Sequence, residues 1–170
     1  EPREEYERLM EAINTALRLD PNSSDAYAML GEVKDTFEFK FDEAEAAHRR
    51  SVELDPQSAH ARRFYAFFLM NHRRYDESVE HARKNVELEP GSAFANRVLG
   101  QVLFHARQYD EAIFHLRRLI DLDPNFRAGL GLLWRSYYMK GDLETAYKEF
   151  RTFIERGGTP LEVLVDYDTA

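Results

Sequence analysis

The sequence predicts an all-α chain of antiparallel helix pairs stacked into a solenoid. Three observations carry this. First, a four-residue phrase returns four times: Asp20-Pro21-Asn22-Ser23, Asp55-Pro56-Gln57-Ser58, Glu89-Pro90-Gly91-Ser92 and Asp123-Pro124-Asn125-Phe126. Leu19, Leu54, Leu88 and Leu122 precede it in turn, and the prolines are 35, 34 and 34 residues apart. A fixed period of this size belongs to repeat architectures. Second, proline cannot continue a helix and pushes the residue before it out of the α region, so each phrase is a helix stop and a tight turn. Third, the remaining prolines are only Pro2 and Pro160, which leaves the intervening segments free to be helical.

The elements follow in order. Glu4 to Leu19 places Leu9, Ile13, Ala16 and Leu17 at helical intervals, and Pro2 suits a first turn. Ser23 or Ser24 is placed to cap a second helix through Tyr27, Leu30 and Val33 to about Phe37. Asp42 is expected to open a third helix, ending at Leu54. Ala59 to Asn71 reads as the fourth, and Asp76 as the cap of a fifth running to Leu88. Ala93–Ala106 with Asp110–Leu122, and Arg127–Met139 with Asp142–Arg156, read as two further pairs. Gly157-Gly158 ends the last one. Thr159-Pro160-Leu161-Glu162 has the pattern of a capping box, so a short terminal helix is expected over about 160–168.

Composition narrows the function. No cysteine is present, which removes disulfides, thiol nucleophiles and thiolate metal sites and fits a reducing, cytoplasmic setting. A net charge of −8 argues against a general nucleic-acid binder. No apolar run is long enough to span a membrane. A chain opening on Glu1 reads as a segment of a longer protein.

A helix pair every 34 residues, closed by proline, resembles the tetratricopeptide repeat. The residues that carry the resemblance are Leu99-Gly100, Tyr109-Asp110-Glu111-Ala112 and Pro124 in one repeat. In the others they are Tyr27, Leu30-Gly31, Ala44 and Pro56; Tyr65-Ala66, Tyr75-Asp76-Glu77-Ser78 and Pro90; and Leu133, Tyr137, Gly141-Asp142 and Ala146. The resemblance implies a single right-handed solenoid domain over 1–170. It would hold a half-repeat at 3–21, full repeats at about 24–56, 59–90, 93–124 and 127–158, and the terminal helix as a second half-repeat.

Two departures stand out. The first interval is one residue long, with the excess near Phe37-Glu38-Phe39-Lys40-Phe41. That aromatic step resembles a variant found in tetratricopeptide arrays of large bacterial transcription and signalling regulators. It is equally read as a lengthened turn whose aromatics pack into the stack. The second departure is Trp134, where the family expects glycine. It implies a wider helix crossing or an indole on the surface.

No catalytic constellation is legible. The histidines (His48, His60, His72, His81, His105 and His115) include no pair at i, i+4, the spacing that brings two imidazoles to one metal. No glycine-rich phosphate loop or nucleophile elbow is present. Asp42, Asp76, Asp110 and Asp142 are explained as helix-start carboxylates accepting from free backbone N–H groups. Neither an enzyme nor a cofactor or metal is expected.

What remains is the groove that stacked pairs form. The resemblance implies that one face of each first helix lines it. Repeat spacing assigns to that face Asp25, Ala28 and Glu32; His60, Arg63, Phe67, Met70 and Asn71; Phe94, Arg97, Gln101, Phe104 and His105; and Ala128, Gly131, Arg135 and Tyr138. Arg63 and Arg97 are one period apart and are expected side by side. The functional reading is a site for a protein or peptide partner: arginines clamp carboxylates or carbonyls, and Phe67, Phe94, Phe104 and Tyr138 hold apolar anchors. The structural alternative is that the arginines pair with neighbouring acids and the aromatics are core. A rival surface is the apolar run Phe64-Tyr65-Ala66-Phe67-Phe68-Leu69-Met70. Phe64, Phe68 and Trp134 are its candidates for self-association into a homo-oligomer, as in a scaffold, dimerisation or sensory domain of a regulator.

Overall fold

The computed structural model describes residues 2–159. Among the described residues there are nine α-helices and no strand. They are α1 (Pro2–Leu19), α2 (Ser24–Thr36), α3 (Phe41–Leu54), α4 (Ala59–Asn71), α5 (Tyr75–Leu88), α6 (Ala93–His105), α7 (Tyr109–Leu122), α8 (Arg127–Lys140) and α9 (Leu143–Glu155). The terminal helix expected over 160–168 lies outside the described residues. The helices group into two compact units, Glu1–Glu89 and Pro90–Ala170. In the first, α2 pairs with α3 and α4 with α5, and α1 packs on α2. In the second, α6 pairs with α7 and α8 with α9.

The recurring phrase is a compact hydrogen-bonded stop. The Asp20, Asp55 and Asp123 carboxylates accept from the backbone N–H two residues on, at Asn22, Gln57 and Asn125 (2.9, 3.0 and 3.1 Å). The serine that closes the phrase then caps the next helix. Ser23, Ser58 and Ser92 accept from the N–H of Ala26, Ala61 and Ala95 (3.3, 3.1 and 3.2 Å). Phe126, which has no hydroxyl, gives α8 no side-chain cap.

The second helix of each pair starts differently from the expectation. Asp42, Asp76 and Asp110 are not caps. Each stands one residue inside its helix, behind Phe41, Tyr75 or Tyr109, and the cap positions Lys40, Arg74 and Gln108 make no side-chain cap bond. Only Asp142 caps, accepting from Thr145 N–H at 3.1 Å. The other three carboxylates retain their favourable place in the first turn, against the positive helix end.

The reason is the left-handed residue in the turn before. Phe39, Arg73, Arg107 and Gly141 have φ of 54, 60, 60 and 90° and recur every 34 residues. Each closes the preceding helix through a backbone bond, from Arg74 back to Leu69, Gln108 to Leu103 and Asp142 to Tyr137 (2.9, 2.9 and 3.0 Å). In the first pair the corresponding bond runs from Lys40 back to Lys34 (2.9 Å), one residue further. The extra residue of the 35-residue interval is therefore held in the turn after α2, residues 37–40, which is one residue longer than the turns 72–74 and 106–108. A left-handed conformation costs a non-glycine residue roughly 1–2 kcal/mol. Arg73→Gly and Arg107→Gly are each expected to raise stability by about 0.5–1 kcal/mol, net of the freer unfolded chain. Urea unfolding checks this, and a lower midpoint for both would contradict it.

Inside each pair one crossing point recurs. Gly31 faces His48, whose ring would stand 2.6 Å from an added Cβ. Gly100 faces Leu116, which would stand 2.8 Å away. Their period-mates Ala66 and Ala82 are both fully buried. At the fourth crossing the indole of Trp134 meets Phe150 edge-on, at 5.1 Å between centroids. Trp134 is thus half-buried between helices rather than spread on the surface, and its N–H is buried with no hydrogen-bond partner among the described residues.

The core of the first unit includes Ala44, Tyr65, Phe68 and Leu69. Phe68 is only 3 % exposed, which removes it as a self-association candidate. The helical period turns it inward while Phe64 and Phe67, on other faces of α4, stay half-buried. The long turn after α2 is held on both sides. Tyr6 donates to Glu38 (3.1 Å) and lies 5.9 Å from the Phe37 ring, while Phe41 meets His72 edge-on at 4.8 Å. Lys34 and Lys40, bonded to Glu38, push its carboxyl pKa down to about 2. Phe39 itself is 70 % exposed.

Candidate interaction surface

The first helices of the pairs carry the candidate residues, and each unit presents its own set. In the first unit, α2 supplies Asp25, Glu32 and Asp35, and α4 supplies His60, Arg63, Phe67 and Asn71. Asp25 meets His60 Nδ1 at 2.9 Å, and Asp35 meets His72 Nε2 at 2.9 Å. Burial raises the pKa of the Glu32 carboxyl, and the Asp35 charge adds to it. Burial also lowers the pKa of the Arg63 guanidinium, with the Glu89 and Asp25 carboxylates opposing that shift. Arg63 lies 5.1 Å over the ring of Phe64. Asp35 is itself buried, so Asp25 and Glu32 are the α2 carboxylates that retain exposure on this face. Ala28 and Met70, assigned to the lining by spacing, are buried.

In the second unit the arginines are held by rings. The Arg97 guanidinium lies 4.5 Å over Phe94 and donates to Gln101 Oε1 at 2.8 Å. The Arg135 guanidinium lies 5.1 Å over Phe104, which itself meets Tyr109 and His105 edge-on at 5.9 and 5.5 Å. Phe94 is 39 % and Tyr138 52 % exposed. A guanidinium parked on an aromatic face loses rotamer freedom; in Arg97 one N–H is taken by Gln101 and Nε is buried. The structure therefore brings together Phe94, Arg97 and Gln101, and separately Phe104 and Arg135. Arg63 belongs to the other unit.

The sequence reading missed Asp35 and His72. They are 37 residues apart, off the 34-residue period, so repeat spacing does not pair them. The available signal was the period itself: Asp35 stands where the next two repeats carry Met70 and Phe104, and an acid at an apolar position calls for a partner.

The tetratricopeptide family model matches residues 93–126, which are α6, α7 and the turns that bound them. The chain carries a tetratricopeptide repeat. No curated protein matches the sequence. Solved structures share the tetratricopeptide fold at low identity. PilF of Pseudomonas aeruginosa is 23 % identical, with 99 % of this chain and 81 % of that one covered and a TM-score of 0.79. YrrB, described as a TPR protein with an unusual peptide-binding site, is 19 % identical over 98 % and 86 %, with a TM-score of 0.76. MamA of Desulfovibrio magneticus, from residue 41 to its end, is 19 % identical over 91 % and 87 %, with a TM-score of 0.77. At such identities the likeness is one of fold. No described helix is long and apolar enough to cross a membrane.

Proposed function

We propose that the chain is a non-catalytic module that binds a protein or peptide partner within a larger cytoplasmic protein, using the α6–α8 face of the second unit. The observation that carries this is the pair of guanidiniums fixed over Phe94 and Phe104, beside the exposed ring of Tyr138. Two forked cations among rings offer a peptide both carboxylate or carbonyl contacts and apolar anchorage. The peptide-binding site in the description of YrrB is consistent with this use of the fold. The α2–α4 face, with Arg63, Phe67 and Asn71, serves as a second and more acidic contact region.

Peptides selected from a displayed random library on the whole chain provide the test. Arg97→Glu with Arg135→Glu is expected to lower their capture at least about tenfold, with unchanged far-ultraviolet circular dichroism. Unchanged capture would sink the assignment of the face. A second reading is a scaffold or dimerisation segment of a regulator. It is favoured by Phe39, exposed in a left-handed turn that packing and ion pairs hold in place. Light scattering that shows mass rising with concentration, and falling back with Phe39→Gly, would carry that reading instead.

A further inference from the structure

We propose that the ligand of the α6–α8 face is an acidic protein segment whose two side-chain carboxylates lie about 10–15 Å apart, a spacing that about three or four residues of extended chain provide. The inference rests on the reading of that face as a peptide site and names the chemistry the site selects.

The two helices stand apart in composition. The chain carries 31 aspartates and glutamates, yet none lies in α6 or α8. Even the first-turn acids of α2, α3, α5, α7 and α9 are missing there, although a carboxylate at that place stabilises a helix. Helix α4 also has none, but it packs against α2, which supplies Asp25, Glu32 and Asp35. Among the described helices of the second unit, acids are confined to α7 and α9.

The guanidiniums are set along one helix. That of Arg97 lies over Phe94, and that of Arg135 reaches from α8 to lie over Phe104 of α6. Phe104 stands seven residues after Arg97 and ten after Phe94, about 10 and 15 Å along the axis at 1.5 Å per residue. An extended segment advances roughly 3.3 Å per residue, which gives the spacing of its carboxylates.

Both arginines are half-buried, so solvent screens their charge less than it would on an open surface. A carboxylate answers that charge with hydrogen bonds roughly twice as strong as those of a neutral acceptor. A backbone carbonyl brings no charge, and no residue of α6 or α8 is an anion. Phe94 and Tyr138, both exposed, add apolar contact beside the charges. The net charge of −8 disfavours an acidic segment elsewhere on the surface, which directs it to this face. A nucleic-acid strand, charged along its whole length, meets the same repulsion without the apolar gain.

The test uses the whole chain and fluorescent, amidated short-peptide pools read by anisotropy. One pool is random but for two glutamates about three or four residues apart; its counterparts carry glutamine or lysine at those places. The glutamate pool is expected to bind at least about tenfold more tightly than the glutamine pool. Arg97→Glu with Arg135→Glu is expected to remove that preference and to favour the lysine pool instead. Arg97→Gln with Arg135→Gln is the milder pair if circular dichroism reports lost helix, and is expected to level the glutamate and glutamine pools. Arg151→Glu, on α9, makes the same charge change away from the face and is expected to leave the preference unchanged. Equal binding of the glutamate and glutamine pools by the unaltered chain overturns the proposal, and so does an Arg151→Glu effect as large as that of Arg97→Glu with Arg135→Glu. An oligothymidylate that displaces the glutamate pool also overturns it. Mass that rises with concentration in the absence of peptide, and falls back with the paired arginine changes, gives the face to a second copy and overturns it as well. Displayed peptides that require Arg97 and Arg135 while the pools bind equally leave the peptide-site reading intact and refute only the acidic ligand.

Discussion

Lowering the pH from 7 to 5 is expected to cost the first unit about 2 kcal/mol at His48 alone. His48 is fully buried between the pair of helices α2 and α3, and neither ring nitrogen has a hydrogen-bond partner among the described residues. Gly31 lies against its ring, while Tyr65 stacks at 5.9 Å and Phe68 tilts at 5.2 Å. Burial pushes its pKa down to about 4. The folded value thus lies below the ordinary 6.5, so the unfolded chain binds more protons between those limits. The contribution is fully present above pH 6.5, is lost as the pH falls through that window, and is spent below about 4. His81 acts in the same direction. Burial first, and then the Arg62 charge, push its pKa to about 4, and its ring lies 4.5 Å from Tyr65 on the other side. His48→Leu, which copies the Gly100–Leu116 pair, is expected to flatten the pH dependence of urea unfolding and raise stability at pH 5. An unaltered slope between pH 6.5 and 4 would exclude His48 as its source.

Leu116→Ala is the second large effect, with an expected loss of about 3–4 kcal/mol. Leu116 is fully buried and fills the space that Gly100 leaves on the facing helix. The neighbouring pair solves the same crossing with Ala66 and Ala82. Combining Leu116→Ala with Gly100→Ala therefore restores a size match that the chain already uses. The added methyl enters the vacated volume and also improves helix propensity by about 1 kcal/mol. The double variant is expected to recover at least that much of the loss, whereas Gly100→Ala alone sets a methyl 2.8 Å from Leu116. A double-mutant cycle from denaturant titrations measures the coupling. Strict additivity would show that the two positions do not share one space.

Helix order was legible because turn chemistry and apolar period agree at every pair. The Asp-Pro phrase names the stop, and the serine names the next start. The starts of α3, α5 and α7 were read one residue late because aspartate was taken as the cap. The decisive residues there are Phe39, Arg73 and Arg107, and nothing in a phenylalanine or arginine advertises a positive φ. Surface position was legible for the same periodic reason: of the seventeen residues that repeat spacing assigns to the groove, fifteen retain some exposure, and Ala28 and Met70 are buried. The partners of those residues were not. Whether Arg97 turns to Phe94 or to an acid is decided by side-chain torsions, which repeat spacing does not encode. Phe68 shows the limit from the other direction: composition marks α4 as apolar all round, but only packing decides which ring is inside.

The six-residue closure from Lys40 to Lys34 has a bearing on how such a chain tolerates change. One residue more than its period-mates is taken up in a single turn, and the spacing from Phe39 to Arg73 is already back to 34. Because α4 and α6 each start from their own serine cap, an insertion does not shift the frame of the pairs they open. The chain behaves like a text with punctuation rather than one with fixed column widths: a slip is confined to the line in which it occurs.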